Sequence, residues 1–352
     1  MGSAGAPTVP AMRALQLSAD GAALTDVDVP DPRPGEVLVK VGGAGLCHSD
    51  LHLMHIAAMV EEPFTLGHET AGWVEAVGPG TTDGPAVGEA VLVHGAWGCG
   101  RCARCRAGED NLCPYSGARI GSGLFRDGGM AEYLLVPAAR HLLPIADLDP
   151  RDAAPLDDAA LTPYHAIKAA LPLLGPATTA VVIGIGGLGH LAVQLLRVLS
   201  PATVAAVDVD ETKLALAREK GADVALSPAD DAAARIRDAA GELGPALVID
   251  CVGSDDTLAL AGSVVTNRSR IVVVGVAGGT LPFSFFALPY ECSIGTTFWG
   301  TIAELAEVVA LARDGRITVE VEQVPLDGAL DAYGRLEAGT FGTGRAVALP
   351  HG

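Results

Sequence analysis

The chain is short of basic residues. It carries 23 Lys and Arg against 42 Asp and Glu, a formal net charge of −19. Phosphate backbones require a basic face, so nucleic acid is excluded as a partner, and the acidic balance reads as solubility. No run of eighteen apolar residues lacks polar breaks, so no membrane span is expected. The opening MGSAGAPTVPAM has no basic segment leading into an apolar core. It is therefore expected to be no signal peptide but an irregular tip, followed by a strand from about Met12. Internal repeats and low-complexity segments are lacking. So is any even spread of cysteine pairs: four of the seven cysteines fall between Cys99 and Cys113. A disulfide framework is thereby disfavoured, and a metal-binding, cytoplasmic chain is expected.

What is present suffices for two domains of ordinary size: 352 residues, 49% of them hydrophobic, with 44 Gly and 23 Pro to punctuate turns. Residues 12–43 alternate apolar and polar positions between Pro and Gly breaks, and residues 72–94 return to that texture. A β-rich, barrel-like body is expected over the first 150 residues or so.

Between those strands, Gly45–Gly72 gathers Cys47, His48, Ser49, Asp50, His52, His68 and Glu69 in apolar surroundings. Thiolate and imidazole are ligands zinc prefers, and a hydroxyl with two further imidazoles beside the thiol could form a proton path. A buried structural Cys with scattered surface His would fit either part alone. Cys99, Cys102, Cys105 and Cys113 then follow the pattern C-x2-C-x2-C-x7-C. Four thiolates so spaced can close a tetrahedron around a structural zinc. An iron–sulfur cluster fits less well, because the fourth Cys stands too far along and no Pro follows the third.

From Asp152 the chain turns Ala- and Leu-rich. The segment TTAVVIGIGGLGHLAVQLLRVLS gives an apolar strand, a turn holding Gly184, Gly186, Gly187 and Gly189, and a helix. One glycine permits the tight turn, the next lets backbone approach a pyrophosphate, and the last lets helix and strand pack. The second strand ends at Asp208, nineteen residues past Gly189, where an acid can bind the ribose hydroxyls of NAD. A 2′-phosphate would meet Asp208, Asp210 and Glu211, which disfavours NADP. Strand and helix alternate onward, as in a doubly wound parallel sheet.

With these motifs placed, the chain resembles the zinc-dependent medium-chain alcohol dehydrogenases over essentially its whole length, and bacterial NAD-dependent secondary alcohol dehydrogenases in particular. Gly67-His68-Glu69 with Gly72, the four-cysteine lobe and GIGGLG occur in that family's order. The phrases GLCHSD, WGCGRC, ALTPYHAI, PLLGP and FWGT point to the bacterial members. The resemblance implies an α/β protein with a Rossmann cofactor domain, residues 158–296, and a GroES-like catalytic domain, residues 1–157 and 297–352.

It also implies roles. Cys47, His68 and Asp158 would hold a catalytic zinc, with Asp157 beside Asp158 leaving the register open, and Glu69 would approach the metal during exchange. Ser49 would bond the substrate oxygen and His52 would end the proton relay. His48 and Arg345 would touch the pyrophosphate, and Leu188 would belong to the glycine turn. Thr162, Val274 and Val276 would surround the nicotinamide, and Lys213 the adenosine ribose. Phe298 and Trp299 would line an apolar substrate pocket. The implied reaction is hydride transfer between NAD and a secondary alcohol or ketone, by a homo-oligomer, dimer or tetramer. A polyol, primary alcohol or aldehyde dehydrogenase of the same superfamily is the alternative among enzymes. Outside them stands a zinc-binding interaction module built on the cysteine lobe. Residues 283–297 are apolar enough for a subunit edge or a buried core strand.

Overall fold

The computed structural model describes residues 11–117 and 119–352; the expected tip before Met12 lies almost wholly outside them. The first strand, Ala11–Ser18, pairs antiparallel with Gly21–Asp28 through a two-residue turn. Its apolar side chains Ala14, Leu15 and Leu17 are fully buried. A seven-stranded sheet forms the body of this half. Its order runs Val321–Pro325, Arg345–Leu349, Val37–Gly45, Glu69–Val77, Ala90–Val93 and Leu142–Pro144, and Tyr133–Val136 also pairs with Val37–Gly45. The end of the chain thus returns to the sheet begun near its start.

The second sheet has six strands in the order Val224–Leu226, Thr203–Val207, Thr179–Ile183, Pro245–Asp250, Arg270–Val273 and Ser293–Thr296, with every pair parallel. Thr179–Ile183 is buried at all five positions, as a central strand covered on both faces must be. Its alternate side chains divide between two cores. Ala180 and Val182 pack in the same core as Ile167 on helix Leu161–Ala170 and Leu195 on helix Gly189–Leu199. Val181 and Ile183 share the other with Ile236 of helix Ala232–Ala240 and Val264 of helix Asp255–Val264. The chain leaves Thr179–Ile183 for one neighbour strand and returns later to the other, which opens a crevice at the carboxyl ends of these strands.

Ser293–Thr296 is exposed along its length and, among the described residues, has a strand partner on one side only. The stretch 283–297 therefore contributes an edge strand only at Ser293–Thr296, and not a buried core strand. Among the described residues, no helix is long and apolar enough to cross a membrane.

Candidate active site

A cleft of about 510 Å³ lies between the carboxyl ends of the parallel strands and the helix His48–His55. It is lined by Cys47, His48, Ser49, His52, His68, Asp158, Thr162, Gly184, Gly186, Gly187, Leu188, Gly189, Asp208, Lys213, Val274, Val276, Phe298, Trp299 and Arg345. Sequence reasoning did not point to Leu124, Cys251, Val252 or Thr297, which also border it; they carry no motif of their own.

At its floor the ligand atoms of Cys47, His68 and Asp158 come within 4.8 Å of one another. Cys47 directly precedes the helix His48–His55, whose first turn sets its side chain toward the cleft floor. His68 follows Gly67, whose φ of +95° is left-handed and where an added Cβ would stand 2.7 Å from Met130 Cγ. Only glycine fits that turn. Asp158 follows the 3₁₀ turn Ala154–Asp157, and successive residues of such a turn point about 120° apart. Asp158 Oδ2 consequently lies 3.4 Å from His68 Nε2. Asp157 instead turns away, accepting the Gly95 N–H with both oxygens at 3.2 and 3.0 Å.

The cluster favours a cation. Burial opposes a positive charge on His68, but Asp50 and Asp158 outweigh it and hold its pKa well above the ordinary histidine value. Burial likewise pushes Asp158 up, yet His68, Arg345 and the Thr162 hydroxyl pull it below the usual carboxylate range. A soft sulfur, an imidazole and a carboxylate around a charge-hungry centre fit zinc with a fourth position open.

Asp50 is the functional residue that sequence reasoning named without assigning a role. Fully buried, it lies 3.2 Å from His68 Nδ1, accepts the Cys47 N–H at 3.0 Å and accepts the Tyr333 hydroxyl at 2.7 Å. It thereby orients two ligand residues at once. Its position three residues after Cys47 was the available signal; Tyr333, 283 positions away, offered none.

Glu69 and Arg345 are partners. Glu69 does not join the ligand atoms: its oxygens accept from Arg345 Nε at 2.9 Å, from Arg345 Nη2, and from the Ala159 N–H at 3.0 Å. Arg345, expected at the pyrophosphate, is 4% exposed, pairs with Glu69, faces Asp158 at 3.6 Å, and borders the cleft beside the glycine turn, where an added Cβ on Gly187 would stand 2.7 Å from its Nη1. Thr162, expected beside the nicotinamide, donates its hydroxyl to Asp158 at 2.5 Å.

On the opposite wall, Gly184 adopts φ +86°, and a Cβ on Gly189 would stand 1.9 Å from the Gly184 carbonyl oxygen. A Cβ on Gly186 would meet only open space. Strand, turn and helix therefore pack as a dinucleotide cradle requires. Asp208 accepts the Ile185 N–H at 2.6 Å and the Asp210 N–H at 3.0 Å, which fixes its carboxylate against that turn.

Away from the cleft, the four thiols of Cys99, Cys102, Cys105 and Cys113 also lie within 4.8 Å of one another, with sulfur separations of 3.5, 3.9 and 4.0 Å. The sulfur–sulfur edge of a zinc tetrathiolate is about 3.8 Å. Burial would raise the Cys113 thiol, but the Cys99 N–H and the Ser116 hydroxyl outweigh it and bring it down to about 6. Cys99→Ser is expected to lose this zinc and lower the melting temperature, because a hydroxyl replaces a thiolate in a closed four-ligand site. Metal analysis and calorimetry check it; an unchanged melting temperature with the metal retained contradicts it.

A parallel nucleotide-type sheet, facing a β-rich body across a thiolate–imidazole–carboxylate cluster, defines a metal-dependent dehydrogenase. Residues 33–147 match the family model of the alcohol dehydrogenase GroES-like domain, and residues 187–314 that of the zinc-binding dehydrogenases. The D-arabinose 1-dehydrogenase (NADP(+)) of Saccharolobus solfataricus is 33% identical, covering 96% of each chain. An NAD-dependent alcohol dehydrogenase of Sulfurisphaera tokodaii is 34% identical over 96% of this chain and 100% of that one. The structure of acetophenone reductase from Geotrichum candidum in complex with NAD matches with a TM-score of 0.85 and 33% identity, over 97% and 98% of the two chains. The chain belongs to the zinc-dependent medium-chain alcohol dehydrogenase family.

Proposed function

We propose that the protein is an NAD-dependent dehydrogenase interconverting secondary alcohols and ketones. The observation that carries this reading is the Cys47–His68–Asp158 cluster at the floor of a cleft whose other wall is the glycine turn with Asp208. Zinc held by those three residues supplies Lewis acidity, and NAD supplies the hydride acceptor. Within the chain, Ser49 Oγ, 3.6 Å from Cys47 Sγ, is the hydroxyl we assign to the substrate oxygen. His48 and His52 are exposed beside it and lead outward. Partial withdrawal of the His48 ring from water on its cleft side, then Arg345, His52 and Lys213, lower its pKa, which keeps that ring neutral. Phe298 and Trp299 stack edge-on at 5.2 Å and form an apolar wall that suits alkyl or aryl substituents better than a polyol. That wall, together with an acetophenone reductase among the structural relatives, supports secondary alcohols and ketones.

The Asp208 carboxylate at the adenosine end supports NAD over NADP, in contrast to the D-arabinose relative. Asp208→Ala is expected to weaken NAD binding by about 2–3 kcal/mol and to narrow the gap to NADP. Michaelis constants for the two cofactors test it; an unchanged value for NAD overturns the assignment.

We further propose the division into residues 1–157 with 297–352 and residues 158–296, and a cytoplasmic homo-oligomer. Four clustered thiols without disulfides suit a reducing compartment. The edge strand Ser293–Thr296 carries Phe283, Phe285, Phe286 and Tyr290 nearby, exposed by 73, 75, 85 and 63%. Such an edge supports pairing with a second copy. Phe286→Glu is expected to shift the mass in light scattering toward the monomer; a wild-type monomer contradicts the proposal.

A further inference from the structure

The turn Phe298–Trp299–Gly300 is held from outside its own segment at two carbonyls. Asn111 Nδ2 donates to the Phe298 carbonyl at 2.8 Å, across 187 positions of sequence. His94 Nε2 lies 2.9 Å from the Gly300 carbonyl, so that nitrogen carries the proton and the ring donates. Both donors are buried, Asn111 6% and His94 1% exposed. Between the two carbonyls stands Trp299, a bulky residue with φ +46°, a left-handed conformation that persists only where surrounding contacts impose it. Trp299 is 3% exposed and sets its ring edge-on to His68 at a centroid distance of 6.0 Å.

Asn111 belongs to the cysteine lobe. It sits in the short turn Asp110–Leu112 directly before Cys113. Its neighbour Asp110, 5% exposed, is bound by Arg140 at 2.6 Å, and Arg140 also donates to the Gly98 carbonyl at 2.8 Å. The four thiolates thus hold Asn111 at one end while the Phe298 carbonyl holds it at the other.

We propose that Asn111 and His94 are positioning residues that fix Trp299 over the metal cluster, so that discrimination between alcohol substituents depends on the lobe. This rests on reading the cleft as an alcohol site. Neither side chain lines the cleft; both act through the backbone of the turn. Released at one carbonyl, Trp299 relaxes from its left-handed conformation, and the wall against which the larger substituent packs moves.

The test compares a bulky with a small secondary alcohol under saturating NAD. Asn111→Ala is expected to lower the bulky-to-small ratio of kcat/KM by about fivefold or more, chiefly through KM, within the range one apolar contact gives. NADH binding is expected to stay within about twofold, because the cradle is untouched. In a Trp299→Phe background the same change should add little, since the residue it acts through is gone. A second readout is independent of turnover: the part of the tryptophan emission lost in Trp299→Phe should become accessible to acrylamide in Asn111→Ala. Should Asn111→Ala lose the lobe metal, His94→Leu, outside the lobe, decides with the same two readouts. An unchanged ratio and unchanged quenching overturn the proposal, as does full additivity with Trp299→Phe. Absence of any NAD-linked alcohol oxidation by the unaltered enzyme would instead overturn the reading on which it rests, leaving the quenching experiment to judge the clamp.

Discussion

Asp158→Ala is expected to lose the zinc of the cleft and to lower turnover by at least about a thousandfold, while NADH still binds. A catalytic zinc has three protein ligands, and two do not hold it. The loss goes beyond one bond. Asp158 also stands 3.4 Å from His68 and 3.6 Å from Arg345, so its removal takes a counter-charge from the buried guanidinium as well. The cradle around Gly184 and Asp208 makes no hydrogen bond to Asp158, which is why nucleotide binding survives.

Asp157→Ala is the control with the opposite signature. Burial, then the charge of Asp158, hold the Asp157 carboxyl well above the ordinary carboxylate range, and its partner is the Gly95 N–H. Its loss should cost about 1–3 kcal/mol of stability, because one buried N–H goes unsatisfied, and should leave both zinc ions in place. Metal content and turnover of the two variants separate these outcomes. A dead Asp157 variant beside an active Asp158 variant contradicts the arrangement.

The largest effect on stability is expected from Arg345→Met. It would leave Glu69, fully buried, with only the Ala159 N–H, and breaking a buried pair from one side costs about 3–5 kcal/mol. The deficit should depend on pH. Burial already raises the Glu69 carboxyl even against the pull of Arg345; without the arginine it rises further. A carboxyl whose folded pKa exceeds its unfolded value favours the fold while protonated. That contribution is complete below the unfolded pKa and disappears as pH rises through the folded one. The deficit relative to the unaltered protein should therefore be smaller near pH 5 than near pH 8. Urea midpoints at both pH values check this; a deficit below about 1 kcal/mol, the scale of an exposed pair, or one independent of pH, contradicts it.

These residues also mark where the sequence was legible. The four cysteines, the glycine turn and the strand ending at Asp208 are local patterns, and spacing alone carries their geometry. The crevice between the two bodies follows from the alternation of strand and helix. Glu69 and Arg345 were legible as site residues but not as partners. They stand 276 positions apart, and nothing in either neighbourhood states that a buried acid there will meet a base before it meets a metal. Asp157 and Asp158 are chemically identical in sequence; the 3₁₀ turn that ends between them decides which carboxylate faces His68. Asn111 reads as a polar residue of a loop, and its bond to Phe298 exists only once the chain has returned through the second sheet.

The central claim is tested most directly by the initial rate of NADH formation from NAD with simple secondary alcohols, set beside primary alcohols and polyols at equal concentration. The account predicts the highest kcat/KM for the secondary alcohols. Turnover confined to polyols or primary alcohols, or none with any secondary alcohol by protein holding both zinc ions, would contradict it.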